Sequence, residues 1–357
     1  MKKSVLLYFS TTTLIALSLA LCLTSCKNDG TKASAPDVSD QQVEVELIRF
    51  EKAVAALNKD RPLGGYTNLL VKHPRITDLY FKQLMGIYHP NRDSLGNRLK
   101  LFLNDKRIND LNALVTKTYP DTKSIEKELT ESLKYYKYYF PNAKLPRFYT
   151  LFTEFGFQPF IFDDLDGRDG IGIGLDMFLG KDYDYKSINP TDPVFSSYLT
   201  RTYDRSHLTK KTIEILVEDA IGPAPGKRFI DLMIHQGKKF YILKKIMPNT
   251  PDNIIYEYTA EQMAWMDKNE LQVWDFYLEL DLMYDTDHLK LSKLLSPSPT
   301  TQGMPAGSPG RTTAYIGKAI VEAFMEREKI ESLADLIKVR DSQLLLEKSR
   351  YKPARRK

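Results

Sequence analysis

Apolar residues recur at helical spacing through the early part of the chain. In the segments 76–87, 101–115 and 125–136 they fall three or four residues apart along one face. That spacing is typical of amphipathic helices that cover a core. Pro120 and Pro141 end two of these segments. The first hundred residues after a polar N-terminal stretch are therefore predicted to be helical.

The middle of the chain has a different pattern. Three short runs, 147–153, 159–163 and 170–176, are rich in aromatic or β-branched residues and are separated by Gly or Asp-Gly turns. They predict three strands of a small sheet. Alternation of apolar and acidic residues over 43–47 predicts a further short strand that leads into a helix. Alternate glycines in 170–174 indicate that backbone or side chains pack closely on that sheet face.

Helical periodicity returns in the second half, over 193–203, 209–220 and 226–247. A Thr-x-x-Gln capping box at Thr259 opens another helix, and a further helix is predicted to begin at Ser308. Helix greatly outweighs strand. The sequence thus predicts an α+β fold that is mainly helical, with a small sheet of three or more strands.

The N-terminus carries an export pattern. Two lysines precede an uncharged stretch, 4–24, whose densest apolar run is 14–23, and small residues then precede Cys26. This is a signal peptide ending in a lipobox, so the mature protein is predicted to begin at a lipid-modified Cys26. A transmembrane anchor is the alternative, because 21 uncharged residues can span a bilayer; hydroxyl residues at 10–13 disfavour it.

A lipid on Cys26 places the protein on the periplasmic side of a cell membrane, and which membrane stays open. The predicted division is a signal peptide (1–25), a flexible polar tether (26–42), a single globular domain (43–353) and a basic tail (354–357). Several acyl chains give stable anchoring, since each buried CH₂ contributes about 0.8 kcal/mol.

Composition argues against nucleic-acid binding and against sites that depend on cysteine. The 357 residues carry 51 Lys and Arg against 46 Asp and Glu, a net charge of +5, of which two charges lie in the signal peptide. Such a balance does not favour nucleic-acid binding. Both cysteines, Cys22 and Cys26, lie at the N-terminus, so the folded part has neither a disulfide framework nor a thiolate metal site.

The predicted helix over 226–247 contains the first candidate site. It is apolar on most sides, yet Asp231, His235 and Lys239 recur every four residues. Burying ionised groups is unfavourable by several kcal/mol each unless they are paired. The ridge therefore forms either the wall of a cleft or an internally paired structural stripe.

The letters H-Q-G-K-K from His235 have the length and helical placement of the zinc-protease motif H-E-x-x-H. Gln236 stands where a general-base carboxylate is required, and Lys239 where the second imidazole ligand is required. We therefore predict no catalytic residue, metal or cofactor, and a protein that is not an enzyme. The alternative is a rearranged metal site made of Asp231, His235 and either Glu257 or Glu261.

Several blocks of sequence resemble the family of the gliding motility lipoprotein GldB, in the expected order and over essentially the whole chain. They are L-I-R-F-E-K from Leu47, G-I-G-L-D-M-F-L-G from Gly172, D-L-M-I-H-Q-G-K-K-F-Y from Asp231, Y-T-A-E-Q-M-A-W-M-D-K-N-E from Tyr258 and S-P-G-R from Ser308.

The resemblance implies a cell-envelope lipoprotein of gliding and related Bacteroidetes, required for gliding motility and associated with the type IX secretion apparatus. It also implies a distant relation to predicted zinc-dependent proteases, and so a degenerate zincin-like scaffold. We expect a non-catalytic assembly or stabilising component whose partners are other envelope proteins of that machinery, with no small-molecule substrate; a metal-dependent hydrolase is the alternative. The candidate cleft or interaction residues are Asp231, His235, Lys239, Glu261 and Arg311.

Overall fold

The computed structural model describes residues 35–353 and contains a mixed sheet. Within that range four short strands pair in the order β1-β2-β4-β3. They are β1 (Leu47–Arg49), β2 (Arg147–Leu151), β3 (Phe160–Asp163) and β4 (Asp169–Gly174). The pairs β1/β2 and β2/β4 are parallel, and β3 runs antiparallel to β4. The three strands predicted in the middle of the chain are confirmed, while the short strand predicted over 43–47 lies later, at Leu47–Arg49, directly before the first helix.

The alternate glycines of β4 make room for aromatic rings. Phe162 lies opposite Gly170 and Phe160 lies opposite Gly172 in the antiparallel pair. A Cβ atom on Gly170 or Gly172 would lie 2.2 or 2.3 Å from the nearest ring atom. The close packing predicted on this sheet face is confirmed, and it is made by cross-strand rings.

The chain between β1 and β2 is mainly helical, as its periodicity predicts. A π-helical turn, Tyr80–Leu84, directly follows the helix Pro74–Leu79. The helices are α1 (Phe50–Ala55), α2 (Pro62–Lys72), α3 (Pro74–Leu79), α4 (Arg92–Asn104), α5 (Lys106–Thr118) and α6 (Lys123–Tyr139).

The chain after β4 is also mainly helical. Its helices are α7 (Ser197–Thr200), α8 (Arg205–Ile221), α9 (Phe229–Ile246), α10 (Asp252–Tyr256), α11 (Ala260–Glu279), α12 (His288–Leu295), α13 (Thr312–Glu328), α14 (Leu333–Lys338) and α15 (Ser342–Ser349). The capping box at Thr259 is confirmed: its Oγ1 accepts from the Gln262 N–H, and the Gln262 side chain accepts from the Thr259 N–H. The helix predicted over 193–203 is largely wrong, because a 3₁₀ turn, Pro193–Phe195, precedes the four-residue α7.

The helix predicted from Ser308 begins later, at α13. Arg311 has a left-handed backbone with φ of 56°, which helical residues do not adopt. The segment before it is tied to the preceding loop, since the Gly310 N–H donates to the Ser298 carbonyl and the Thr301 hydroxyl donates to the Pro309 carbonyl. These contacts hold residues 308–311 outside the helix.

Helix α9 is buried on most sides, as its composition predicts. It crosses α13 in close contact, because Gly237 of α9 faces Gly317 of α13 with no room for a Cβ atom on either residue. One buried hydrophobic cluster extends from Phe50 to Leu345 and includes residues of both helices. The prediction of an α+β, mainly helical fold is confirmed, while the zincin-like scaffold stays a prediction.

The signal peptide, Cys26 and the basic tail lie outside the described residues, as does most of the predicted tether. Val38, within that predicted tether, is buried, and the larger of the two units of the protein begins there. None of the helices in residues 35–353 combines the length and apolar character needed to cross a membrane.

Candidate functional site

A cleft of about 340 Å³ lies at the surface of α8 and α9. Helix α8 contributes three charged residues to its wall and α9 contributes one; two more come from the residues that follow α10 and precede α13. These six are Lys211, Glu214, Glu218, Lys239, Glu257 and Arg311. With Lys210, which lies behind the wall, they form what we call the ion cluster.

The spacing of residues on α8 builds one side of the ion cluster. Lys210, Glu214 and Glu218 are each four residues apart, so they follow one face of the helix. Lys239 approaches from α9 and binds both carboxylates, with 2.8 Å from its Nζ to Glu214 Oε1 and 2.8 Å to Glu218 Oε1. The Lys210 Nζ lies 2.5 Å from Glu214 Oε2. These pairs join α8 to α9.

Glu257 is the centre of the ion cluster. It ends α10 with a left-handed backbone, φ 57°. The Nζ atoms of Lys210 and Lys211 each lie 2.9 Å from its Oε1, and Arg311 Nη2 lies 3.6 Å from its Oε2. Three cations from two separate segments therefore surround one carboxylate.

The ion cluster is largely withdrawn from solvent. Lys210 is fully buried, and Glu257 and Arg311 are 6% and 7% exposed. Burial raises the pKa of Glu257, but the neighbouring Lys210, Lys211 and Arg311 outweigh that effect and hold the pKa well below its usual value. Glu257 is therefore charged at neutral pH.

Burial and neighbouring charges also have opposite effects on the pKa values of Glu214 and Lys239, which lie between α8 and α9. Burial raises the pKa of Glu214, yet Lys210 and Lys239 together lower it far below the ordinary value. Burial lowers the pKa of Lys239, and the two carboxylates beside it raise the pKa above its usual value. Lys239 therefore stays protonated, which makes it neither a base nor a nucleophile.

The aromatic ring of Phe240 packs against three cations of the ion cluster. The Phe240 ring lies 5.7 Å from Lys210 Nζ, 5.2 Å from Lys239 Nζ and 5.1 Å from Arg311 Cζ. It also stacks on Tyr256, with 5.2 Å between ring centroids. Cations are attracted to the face of an aromatic ring, so Phe240 helps to hold three positive charges close together.

The structure places the predicted site residues in different surroundings. Lys239 and Arg311 meet in the ion cluster. Asp231 is buried at the start of α9, where its Oδ2 lies 2.8 Å from Arg228 Nε and its Oδ1 accepts from Arg228 Nη2. Glu261 is exposed in the first turn of α11. The Asp231–Lys239 ridge is thus divided between two ion-paired groups.

His235 lies in neither group. It is half-buried and lines a small separate cavity with Lys238 and Arg340. Within residues 35–353 no group of three or more His, Cys, Asp or Glu side chains could hold a metal ion. The carboxylates of Asp231 and Glu257 bind Arg and Lys side chains, so the structure does not assemble the alternative metal site.

Sequence reasoning missed Lys210, Lys211, Glu214 and Glu218. A signal was present, because Lys210, Glu214 and Glu218 repeat every four residues on a predicted helix, as Asp231, His235 and Lys239 do. Two helices with matched charged ridges indicate a contact between them. The arrangement can bind and orient charged groups.

The pH dependence of stability should report the surroundings of His235. Burial, then Lys239, Lys238 and Arg340, lower its pKa to about 4 from the ordinary 6.5. Between these pH values the unfolded protein binds a proton that the folded protein does not, so stability falls as pH falls from 6.5 to 4. In His235→Gln that decline should be shallower, by up to about 1.4 kcal/mol per pH unit.

The measurement is urea denaturation of the full-length protein at several pH values from 7 to 4. His288 is exposed at the start of α12, and His288→Gln should keep the wild-type profile. A His235→Gln profile that parallels the wild type would show that His235 titrates alike in the folded and unfolded states.

Comparison with protein families identifies the family. The family model described as gliding motility protein GldB matches residues 31–353, which is most of the sequence. No curated protein and no solved structure matches the sequence. The name of the family also marks it as one of lipoproteins, which agrees with the lipobox at Cys26. This protein belongs to the GldB family and is a gliding motility lipoprotein, associated with a membrane through its lipid anchor.

Proposed function

We propose that this GldB-family protein is a non-catalytic assembly or stabilising component on the periplasmic side of a cell membrane. Acyl chains on Cys26 would anchor it, and the face that contains the cleft would hold a protein of the gliding and type IX secretion machinery. The observation that carries the proposal is the ion cluster, in which Glu214, Glu257 and Lys239 are each bound to opposite charges of the same protein.

The chemistry of the cleft supports a binding role. A general base needs a pKa near the working pH, whereas that of Glu257 is held well below its ordinary value. Lys239, which stands where a zincin needs its second imidazole, donates to Glu218 and pairs with Glu214. A cation in that position repels Zn²⁺ rather than binding it. These residues favour a role in holding a partner over peptide hydrolysis.

The test is affinity isolation of the full-length protein in mild detergent from gliding cells, with cell movement scored in parallel. His235→Ala should retain gliding and bring down the same envelope proteins as the wild type, since His235 is not a metal ligand in this proposal. Cys26→Ser should accumulate as a soluble or unprocessed precursor and lose both. Stoichiometric zinc that is lost on His235→Ala, or chelator-sensitive digestion of a polypeptide, would contradict the proposal and restore the hydrolase alternative.

A further inference from the structure

We propose that the cleft binds one carboxylate of its protein partner beside Arg311, carried by an Asp or Glu side group that has apolar neighbours. This inference rests on the proposed function, because it names the chemistry by which the partner is held.

The charged residues that line the cleft are balanced, three cations against three carboxylates, and two further cations lie next to them. Arg201 lies beside the ion cluster, where its Nη2 donates to the backbone carbonyl of Glu257 and its guanidinium lies 4.3 Å from the Tyr198 ring centroid. Among residues 35–353 it pairs with no carboxylate. Lys210 and Arg201, which do not line the cleft, add two positive charges beside the balanced set of Lys211, Lys239 and Arg311 with Glu214, Glu218 and Glu257.

Two guanidinium groups each have one nitrogen without a hydrogen-bond acceptor. The Nε atoms of Arg201 and Arg311 are buried and have no partner in the described part of the protein. Arg311 is 7% exposed and lines the cleft, with one Nη2 bond to the Tyr256 carbonyl. A buried donor without an acceptor is unfavourable by about 1–3 kcal/mol. A carboxylate that enters the cleft beside Arg311 supplies negative charge and hydrogen-bond acceptors for its guanidinium.

The rest of the wall favours a peptide over an inorganic anion. Pro159, Val194, Leu199 and Pro297 line the same cleft, and apolar contacts of this kind suit the flanking side chains of a polypeptide. A volume of about 340 Å³ admits a side chain with its adjoining backbone. Glu218 is half-exposed at the cleft and repels a densely charged ligand, so a single carboxylate fits better than a polyphosphate.

The test uses the full-length protein in detergent micelles and an array of N-acetylated, C-amidated heptapeptides. Each peptide has Glu, Asp, Gln or Asn at its centre and apolar residues on either side. The wild type should bind the acidic peptides about tenfold better than their amide counterparts. Lys211→Gln should reduce that preference several-fold, because Lys211 lines the cleft while Glu257 keeps Lys210 and Arg311 as partners.

A second variant and a control keep the test decisive. Arg201→Gln should also weaken the acid preference, whereas Lys186→Gln, which removes an exposed cation outside the cleft, should leave it unchanged. Equal binding of acidic and amide peptides by the wild type would overturn the inference, as would an acid preference that survives in both Lys211→Gln and Arg201→Gln. If the peptide test fails while the wild type still captures envelope proteins in cells, only this inference is wrong. If a folded, anchored wild type captures no envelope protein, the proposed function is wrong as well.

Discussion

Gly237→Ala should destabilise the protein by about 3 kcal/mol, although alanine is the better helix former by about 1 kcal/mol. An ideal Cβ atom on Gly237 would lie 2.2 Å from both the carbonyl carbon and the carbonyl oxygen of Gly317. These are backbone atoms of α13, so no change of rotamer makes room. Helices α9 and α13 must move apart, and the contacts on both sides of the crossing then weaken. Urea denaturation of the full-length protein measures the loss.

Gly64→Ala is the matched control, because Gly64 lies in α2 and a Cβ atom there meets nothing within 4 Å. That substitution should raise stability by about 0.5–1 kcal/mol. Gly317→Ala should be as harmful as Gly237→Ala, since its Cβ would lie 2.2 Å from the Met233 carbonyl oxygen. The double variant should lose less than the sum of the two. Equal stabilities for Gly237→Ala and Gly64→Ala would show that the crossing tolerates a methyl group.

The contact between Gly237 and Gly317 shows where local sequence patterns stop being informative. In H-Q-G-K-K the chemistry of a zinc protease directs attention to His235, Gln236 and Lys239. The structure places the central glycine, Gly237, against Gly317, which lies on a helix far along the sequence. Helices and strands follow from spacings within ten or twenty residues, so they were predictable; the partner of a glycine on a distant helix was not.

The ion cluster likewise depends on contacts between residues that are distant in the sequence. Lys239 and Arg311 were predicted at a cleft, one from its place on a buried helix and the other from a family resemblance. From the sequence, Glu257 is only a candidate to bind a metal ion together with His235. Its real neighbours are Lys210 and Lys211 on α8, because the left-handed end of α10 turns the backbone at Glu257. A single left-handed residue of this kind leaves no periodic signal in the sequence.

Glu257→Gln should be the most damaging substitution at the site, lowering stability by about 3–5 kcal/mol. Glutamine keeps the size of the side chain and removes the charge. Lys211 and Arg311 then lose the carboxylate that each of them pairs with, while Lys210 keeps Glu214. Glu322→Gln is the control, because Glu322 is half-exposed and pairs with Lys318 four residues away, an arrangement that contributes only about 0.5 kcal/mol. Urea denaturation at neutral pH compares the variants.

Two further measurements show that the loss is electrostatic. Adding Lys211→Met to Glu257→Gln removes a cation that the first substitution leaves without its carboxylate and should recover about 1–2 kcal/mol, as expected for residues in one network. The gap between wild type and Glu257→Gln should also depend on pH. Since the pKa of Glu257 is far below the ordinary 4.5, its contribution is fully present above pH 4.5 and is lost as pH falls towards the folded value. A gap that stays constant on acidification, or a double variant no more stable than Glu257→Gln alone, would mean that Glu257 acts by shape and not by charge.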